Sequence, residues 1–216
     1  MLKKVLIVVV VLIAGFLAFV AMRPSTYHVE RSATVAAPAD VVFAELNSFE
    51  NFTKWSPWEK LDPALKRTYA GPKEGVGASY SWIGNDKVGE GKMTIEESKA
   101  PRVVKAKIEF IKPYASTPVA TWSLAPEGDK TKVTWAMDGE NNFGGKLAGV
   151  FMDFDTMIGK DFEEGLKNLD GVAQTDAKAK AAAVPPADAA AATPPGDAPP
   201  APGAPPATPP AKGKAG

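Results

Sequence analysis

The chain has 216 residues, 25 basic and 25 acidic side chains, one histidine and no cysteine. The absence of cysteine excludes disulfides, thiolate nucleophiles and cysteine metal sites, and a single histidine leaves a histidine-rich metal site or a Ser–His–Asp triad without support. Balanced charge without a basic patch argues against nucleic acid as a partner.

The first element is apolar. Val5–Met22 is eighteen residues without a charge, preceded by Lys3 and Lys4 and ended by Arg23-Pro24. As a helix it spans about 27 Å, close to the ~30 Å hydrocarbon core of a bilayer. The alternatives are a cleaved signal peptide and a retained anchor. The length of the run favours the anchor, as does the bulky Phe19 in the one candidate cleavage site, Phe19-Val-Ala21. Lys3, Lys4 and the amino group outweigh Arg23 and Arg31 narrowly. The expected topology is therefore a single pass, with a cytoplasmic amino terminus and the domain outside.

Tyr27–Val35 reads as a strand. Ala36-Ala-Pro38 opens a helix carried by Val41, Val42, Phe43 and Leu46, and Pro38 suits its first turn. Phe49–Trp55 makes a second short helix that Ser56-Pro57 ends, because the residue before proline avoids the helical region. Four aromatics, Phe49, Phe52, Trp55 and Trp58, fall within ten residues. A cluster this dense must lie against something, either plugging one end of a sheet or lining the mouth of a cavity.

Strands follow. Ala78, Tyr80 and Trp82 alternate with serines. Met93 and Ile95 lie within Glu90–Glu97. Val104, Ala106, Ile108 and Phe110 alternate with Lys105, Lys107 and Glu109. Val119–Ala125 and Thr131–Met137 form a hairpin around Glu127-Gly128-Asp129 and contribute Trp122 and Trp135. Alternation with one polar face marks antiparallel strands solvated on one side. Lys146–Leu169 closes the domain as one long helix, with a stripe that includes Leu147, Phe151, Phe154, Ile158, Phe162, Leu166 and Leu169. Gly159 and Gly165 weaken it and point to close approach to the sheet.

Composition changes at residue 171. Eleven of the twenty prolines and no aromatic residue lie in 171–216. Such a segment buries too little apolar surface to offset its chain entropy, and a disordered Ala/Pro-rich tail is expected there. The expected organisation is an anchor over residues 1–25, one domain over 26–170 and the tail over 171–216.

The order is strand, two short helices, a run of antiparallel strands, long helix. This predicts an α+β helix-grip fold, in which a curved sheet of about seven strands wraps the carboxy-terminal helix. Over Tyr27–Leu169 the chain resembles the SRPBCC superfamily, the START-like group that includes polyketide cyclase/dehydrase-like proteins. The resemblance rests on Ala36-Ala-Pro38 before Val41–Leu46, on Trp55-Ser-Pro-Trp58, and on Gly75-Val-Gly77 leading into Tyr80-Ser-Trp82. It also rests on Gly89-Glu-Gly91, on Thr131-Lys-Val-Thr-Trp135, and on Ile158-Gly-Lys-Asp-Phe-Glu-Glu-Gly165-Leu166. It implies a fold with a cavity between sheet and helix, but no single activity, because this superfamily spans carriers, receptors and enzymes.

Catalysis is poorly supplied. His28 lies only a few residues past the apolar run, and Glu90, Glu97, Asp138 and Glu140 are the carboxylates that could reach a cavity. No cofactor or metal is implied. Binding is better supplied. The candidate lining of an apolar pocket is Trp55, Trp58, Tyr80, Trp82, Met93, Ile108, Phe110, Trp122, Trp135, Phe151, Phe154 and Ile158. The leading expectation is a membrane-anchored binding module for an apolar small molecule or lipid. The alternatives are a cyclase- or hydrolase-like enzyme using a cavity carboxylate, and a structural module with a filled core.

Overall fold

The computed structural model describes residues 1–183. Helix α1 (Leu2–Ala21) carries the apolar run, and Val20 is its one buried side chain. Its length and composition suffice to cross a membrane, and a signal sequence would share both properties.

Strand β1 (Thr26–Val35) leads into α2 (Ala39–Leu46) and α3 (Phe49–Trp55). Pro38 stands at the N-cap of α2, where its missing N–H costs nothing, and its carbonyl accepts from Val41 and Val42. Six further strands follow: β2 (Lys66–Ala70), β3 (Ser79–Ile83), β4 (Glu90–Lys99), β5 (Val103–Lys112), β6 (Val119–Glu127) and β7 (Lys130–Glu140). They form one antiparallel sheet in the order β1-β7-β6-β5-β4-β3-β2. The strands after α3 are a plain meander. The first strand returns along β7 and pairs from Thr26↔Glu140 to Val35↔Thr131. The β6–β7 hairpin turns at Gly128-Asp129, where the sequence placed it.

Alternation holds along the central strands. Val104, Ala106 and Ile108 of β5, Ala120, Trp122 and Leu124 of β6, and Val133, Trp135 and Met137 of β7 are buried. They meet Phe162, Leu166, Leu169 and Ala173 of α5 (Phe154–Ala183), and α2 and α3 complete the core.

Three expectations are corrected. Strand β2 was not foreseen. All five of its residues are exposed at the sheet edge, so no apolar alternation marks it. The closing helix is two helices, α4 (Phe143–Phe151) and α5. Met152 between them is extended, and Asp153 caps α5 by accepting from the backbone N–H and the hydroxyl of Thr156. Helix α5 also runs past Leu169 to Ala183, so residues 171–183, expected in the tail, are helical and Ala173 is buried. The rest of the expected tail, 184–216, lies outside the described residues.

Candidate functional site

The concave side of the sheet, faced by α5 and closed by α2 and α3, gathers most of the aromatic side chains. Trp55, Tyr80, Trp82, Met93, Ile108, Trp122 and Trp135 are buried there. Trp58, Phe110 and Ile158 are half-buried against the same core, and Phe154 is half-buried at the start of α5. Phe151 stands apart from this group. It lies on α4, is 76 % exposed, and its ring sits 6.4 Å from that of Phe16 in α1.

The rings form a row with contacts from end to end. Phe110 meets Trp82 edge-on at 5.9 Å, and Trp82 stacks on Tyr80 at 5.7 Å. Tyr80 meets Phe52, and Phe52 meets Trp55 at 4.9 Å. Trp55 meets Trp122 at 6.4 Å and Trp135 at 5.6 Å. Trp135 stacks on Phe162 at 4.1 Å with ring planes 8° apart. Edge-on and offset pairs of this kind add about 0.5–1.5 kcal/mol each beyond the area they bury.

Glycines let the indoles lie flat. A Cβ on Gly91 would stand 2.4 Å from Trp82, its cross-strand partner. A Cβ on Gly165 would stand 2.7 Å from Cζ3 of Trp135 and 3.3 Å from Pro57. This is the close approach that the helix glycines pointed to. Gly165→Ala is therefore expected to destabilise the protein by about 1–3 kcal/mol through overpacking, against a helix-propensity gain of only about 1 kcal/mol. Urea denaturation measures the difference, and a stabilised variant would show that Trp135 does not press on α5 at this point.

The polar tips of these rings differ. Trp55 Nε1 donates to the Glu45 carbonyl (3.3 Å), Trp58 Nε1 to Asp161 (3.2 Å) and Trp82 Nε1 to the Val88 carbonyl (3.2 Å). Tyr80 donates to Glu59 (2.9 Å), which also takes the Arg67 guanidinium. Burial, and then Glu59, hold the Tyr80 phenol well above its ordinary pKa, so it remains a donor. The indole N–H groups of Trp122 and Trp135, paired across β6 and β7, are buried with no acceptor among the described residues. An unpaired buried donor costs about 1–3 kcal/mol. Beside the row, between α3 and the β2–β3 edge, lies a cleft of about 100 Å³ lined by Phe49, Tyr69, Ala78 and Ser79 among others.

The carboxylates singled out from sequence lie elsewhere. Glu90 pairs with Lys112, Glu97 with Lys99 and Lys105, and Asp138 with His28 (2.7 Å), while Glu140 is exposed. The Asp138 hydrogen bond raises the His28 pKa, though the ring remains well exposed. Two carboxylates are buried among the described residues: Asp62, which accepts from the backbone N–H groups of Ala64 and Asn85, and Glu45 of α2, only 3 % exposed, whose Oε2 has no partner there. Burial, and then the neighbouring Asp176, push the Glu45 pKa up to about 7. Its signal was present in the sequence, since Glu45 stands four residues after Val41 and three after Val42, on the apolar face of α2. Among the described residues no group of three His, Asp or Glu side chains could hold a metal ion.

A family model described as "Polyketide cyclase / dehydrase and lipid transport" matches residues 26–174. No curated protein sequence matches the chain. Among solved structures, protein MLL2253 from Mesorhizobium loti aligns at 12 % identity with a TM-score of 0.51, over 69 % of this chain and 98 % of that one. The Mll3558 protein from Rhizobium loti aligns at 15 % identity and TM-score 0.50, over 68 % and 99 %. At these identities the likeness is one of fold.

Proposed function

The chain belongs to the polyketide cyclase / dehydrase and lipid transport family, and from that premise we propose that it is a membrane-anchored binding module for an apolar small molecule or lipid held between the sheet and α5. The observation that carries this reading is the pair of orphaned indole N–H groups, Trp122 and Trp135, inside an otherwise apolar row of rings. Apolar walls with a few convergent donors are the general form of a small-molecule site. The ligand that suits them has an apolar body and a hydrogen-bond acceptor. Sites for such ligands enclose roughly 300–1,000 Å³, and the cleft beside the row is far smaller. A wider groove of about 440 Å³ is lined by Lys54, Lys60, Lys167 and Asp176 and by none of the rings, so a ligand held against the rings requires them to part, with α5 or α3 moving away from the sheet.

The anchor reading rests on α1, whose apolar length matches a bilayer. Lys3 and Lys4 support a cytoplasmic amino terminus. One observation favours the enzymatic alternative. Glu45 is a buried carboxylate poised near pH 7, the property of a general acid or base. Its carboxyl lies against Asp176, and the ring row reaches its backbone carbonyl through Trp55.

The test uses the full chain in nanodiscs with a photoreactive fatty acyl probe. Crosslinks should map to β6, β7 and α5 as well as to α1. Trp122→Phe keeps a ring and removes one donor, so it should weaken probe capture about tenfold, the equivalent of one hydrogen bond of about 1.4 kcal/mol. Crosslinks confined to α1, at every probe concentration, would sink the proposal.

A further inference from the structure

Among the described residues, α4 is the one helix after α1 with no buried residue. It is apolar nonetheless: Lys146 is its single charge, Phe143 and Phe151 are exposed, and Met152 follows exposed as well. Water-facing apolar residues in this density need a cover.

The contacts of α4 show where it lies. The Phe151 ring meets Phe16 of α1, Arg23 Nη2 donates to the Gly149 carbonyl (3.3 Å), and Lys146 Nζ donates to the Ala21 carbonyl (3.2 Å). Helix α4 therefore runs beside the last two turns of α1. Phe16 precedes Met22 by six residues, which is about 9 Å along a helix. If α1 spans a bilayer, the span itself carries Phe151 about that far below the surface. This is the depth of 5–10 Å at which interfacial helices bury their apolar face. Lys146 and Arg23 sit at the exit of α1, where basic side chains reach headgroups along their aliphatic stems.

A second element shares this end of the sheet. Thr26, the first residue of β1, pairs with Glu140, the last of β7, and Val119 at the start of β6 pairs with Asp138. The β5–β6 loop thus lies at the same end, two to three strand spacings from β1, or about 10–15 Å. It carries Tyr114, 84 % exposed, and follows Ile111, also exposed.

We infer that α4 and the β5–β6 loop form a second membrane contact, which seats this end of the sheet on the surface of the leaflet where α1 emerges. The inference rests on reading α1 as a retained span, and its occupant is the bilayer. It places the end of the sheet where β7 leads into α4 directly on the lipid, so the fold need not leave the membrane to exchange an apolar molecule with it.

The chain has no cysteine, so single labels are clean. Leu12→Cys, Phe151→Cys, Tyr114→Cys and Asp129→Cys, each in the full chain, are labelled with an environment-sensitive fluorophore. They are placed in nanodiscs of plain or brominated anionic phosphatidylglycerol/phosphatidylcholine. Asp129 lies in the β6–β7 turn, at the far end of β6. Bromolipid should quench and blue-shift the labels at positions 12, 151 and 114 and spare 129. Quenching at 12 with positions 151 and 114 behaving like 129 overturns the docking and leaves the span standing. No quenching at 12 overturns the span and the docking together. A blue shift at 151 without quenching, rising with protein density in the disc, assigns the cover to a second copy and also overturns the docking.

Discussion

Trp135→Ala is expected to lower the stability of the protein by about 3–5 kcal/mol, the usual cost of truncating a buried aromatic ring. Trp135 is 2 % exposed and meets Trp55, Trp58, Trp122 and Phe162. It joins β7 to α5 and to the α3 segment, so the loss would fall on contacts between elements rather than within one. The surrounding rings are too large to collapse into the vacated space, which keeps the cost at the high end. Urea or thermal denaturation of the full chain, followed by near-ultraviolet circular dichroism, measures it. At about 2–4 °C per kcal/mol for a chain of this size, the melting temperature should fall by roughly 10 °C. Trp135→Phe is the control. It removes the orphaned N–H and keeps a ring, so it should cost far less. A cost below about 1 kcal/mol for the alanine variant would mean that the ring occupies loosely filled space. The row would then be a pocket wall at rest and need no opening step.

The parts of the fold read correctly from sequence are those where burial imposes a period. Val104, Ala106 and Ile108 alternate because one face of β5 is buried and the other carries Lys105 and Lys107. The hairpin at Gly128-Asp129 and the end of α3 at Ser56-Pro57 were legible from turn and proline chemistry. What escaped has no such signal, or has two in conflict. Strand β2 is exposed on every residue, so only its pairing with β3 makes it a strand. The apolar stripe over Lys146–Leu169 is continuous in sequence, yet Phe151 turns to α1 while Phe162 turns to Trp135. A period of 3.6 residues says that a face is apolar and not which neighbour covers it. The capping pair Asp153 and Thr156 marked the break, but on a helix surface the same residues read as solvated positions. Past Leu169, Ala173 and the half-buried Val172 and Ala177 keep the helix packed although the composition is already that of the tail. For the candidate site, inward direction was legible for most of the aromatic residues. The two indoles without acceptors could be identified only from three-dimensional contacts.

Glu45→Gln is expected to remove a pH dependence of stability and to make the protein more stable above neutrality. In the folded chain burial holds the Glu45 carboxyl protonated up to about pH 7, against an ordinary value of 4.5. Between those two values the folded state binds more proton than the unfolded state. Stability therefore falls as pH rises from about 4.5 to 7 and levels off above. A shift of this size corresponds to roughly 3 kcal/mol. The amide has no such ionisation and can donate to Asp176, which faces it from α5. Lys54 works in the opposite sense by favouring the charged form. His28, raised by Asp138, adds a slope of the same sign in wild type and variant alike, so the difference between the two isolates Glu45. Urea denaturation of both full chains at half-unit steps from pH 5 to pH 8.5 provides the curves. Parallel curves, or a wild type that gains stability with rising pH, would show that the carboxyl is solvated. The same titration should be visible at the ring row. Trp55 donates to the Glu45 carbonyl, and its own carbonyl accepts from Asn168 of α5. Ionising Glu45 charges the packed contact between α2 and α5, the two elements that these hydrogen bonds join through Trp55. Tryptophan emission should therefore shift near pH 7 in the wild type and stay flat in Glu45→Gln.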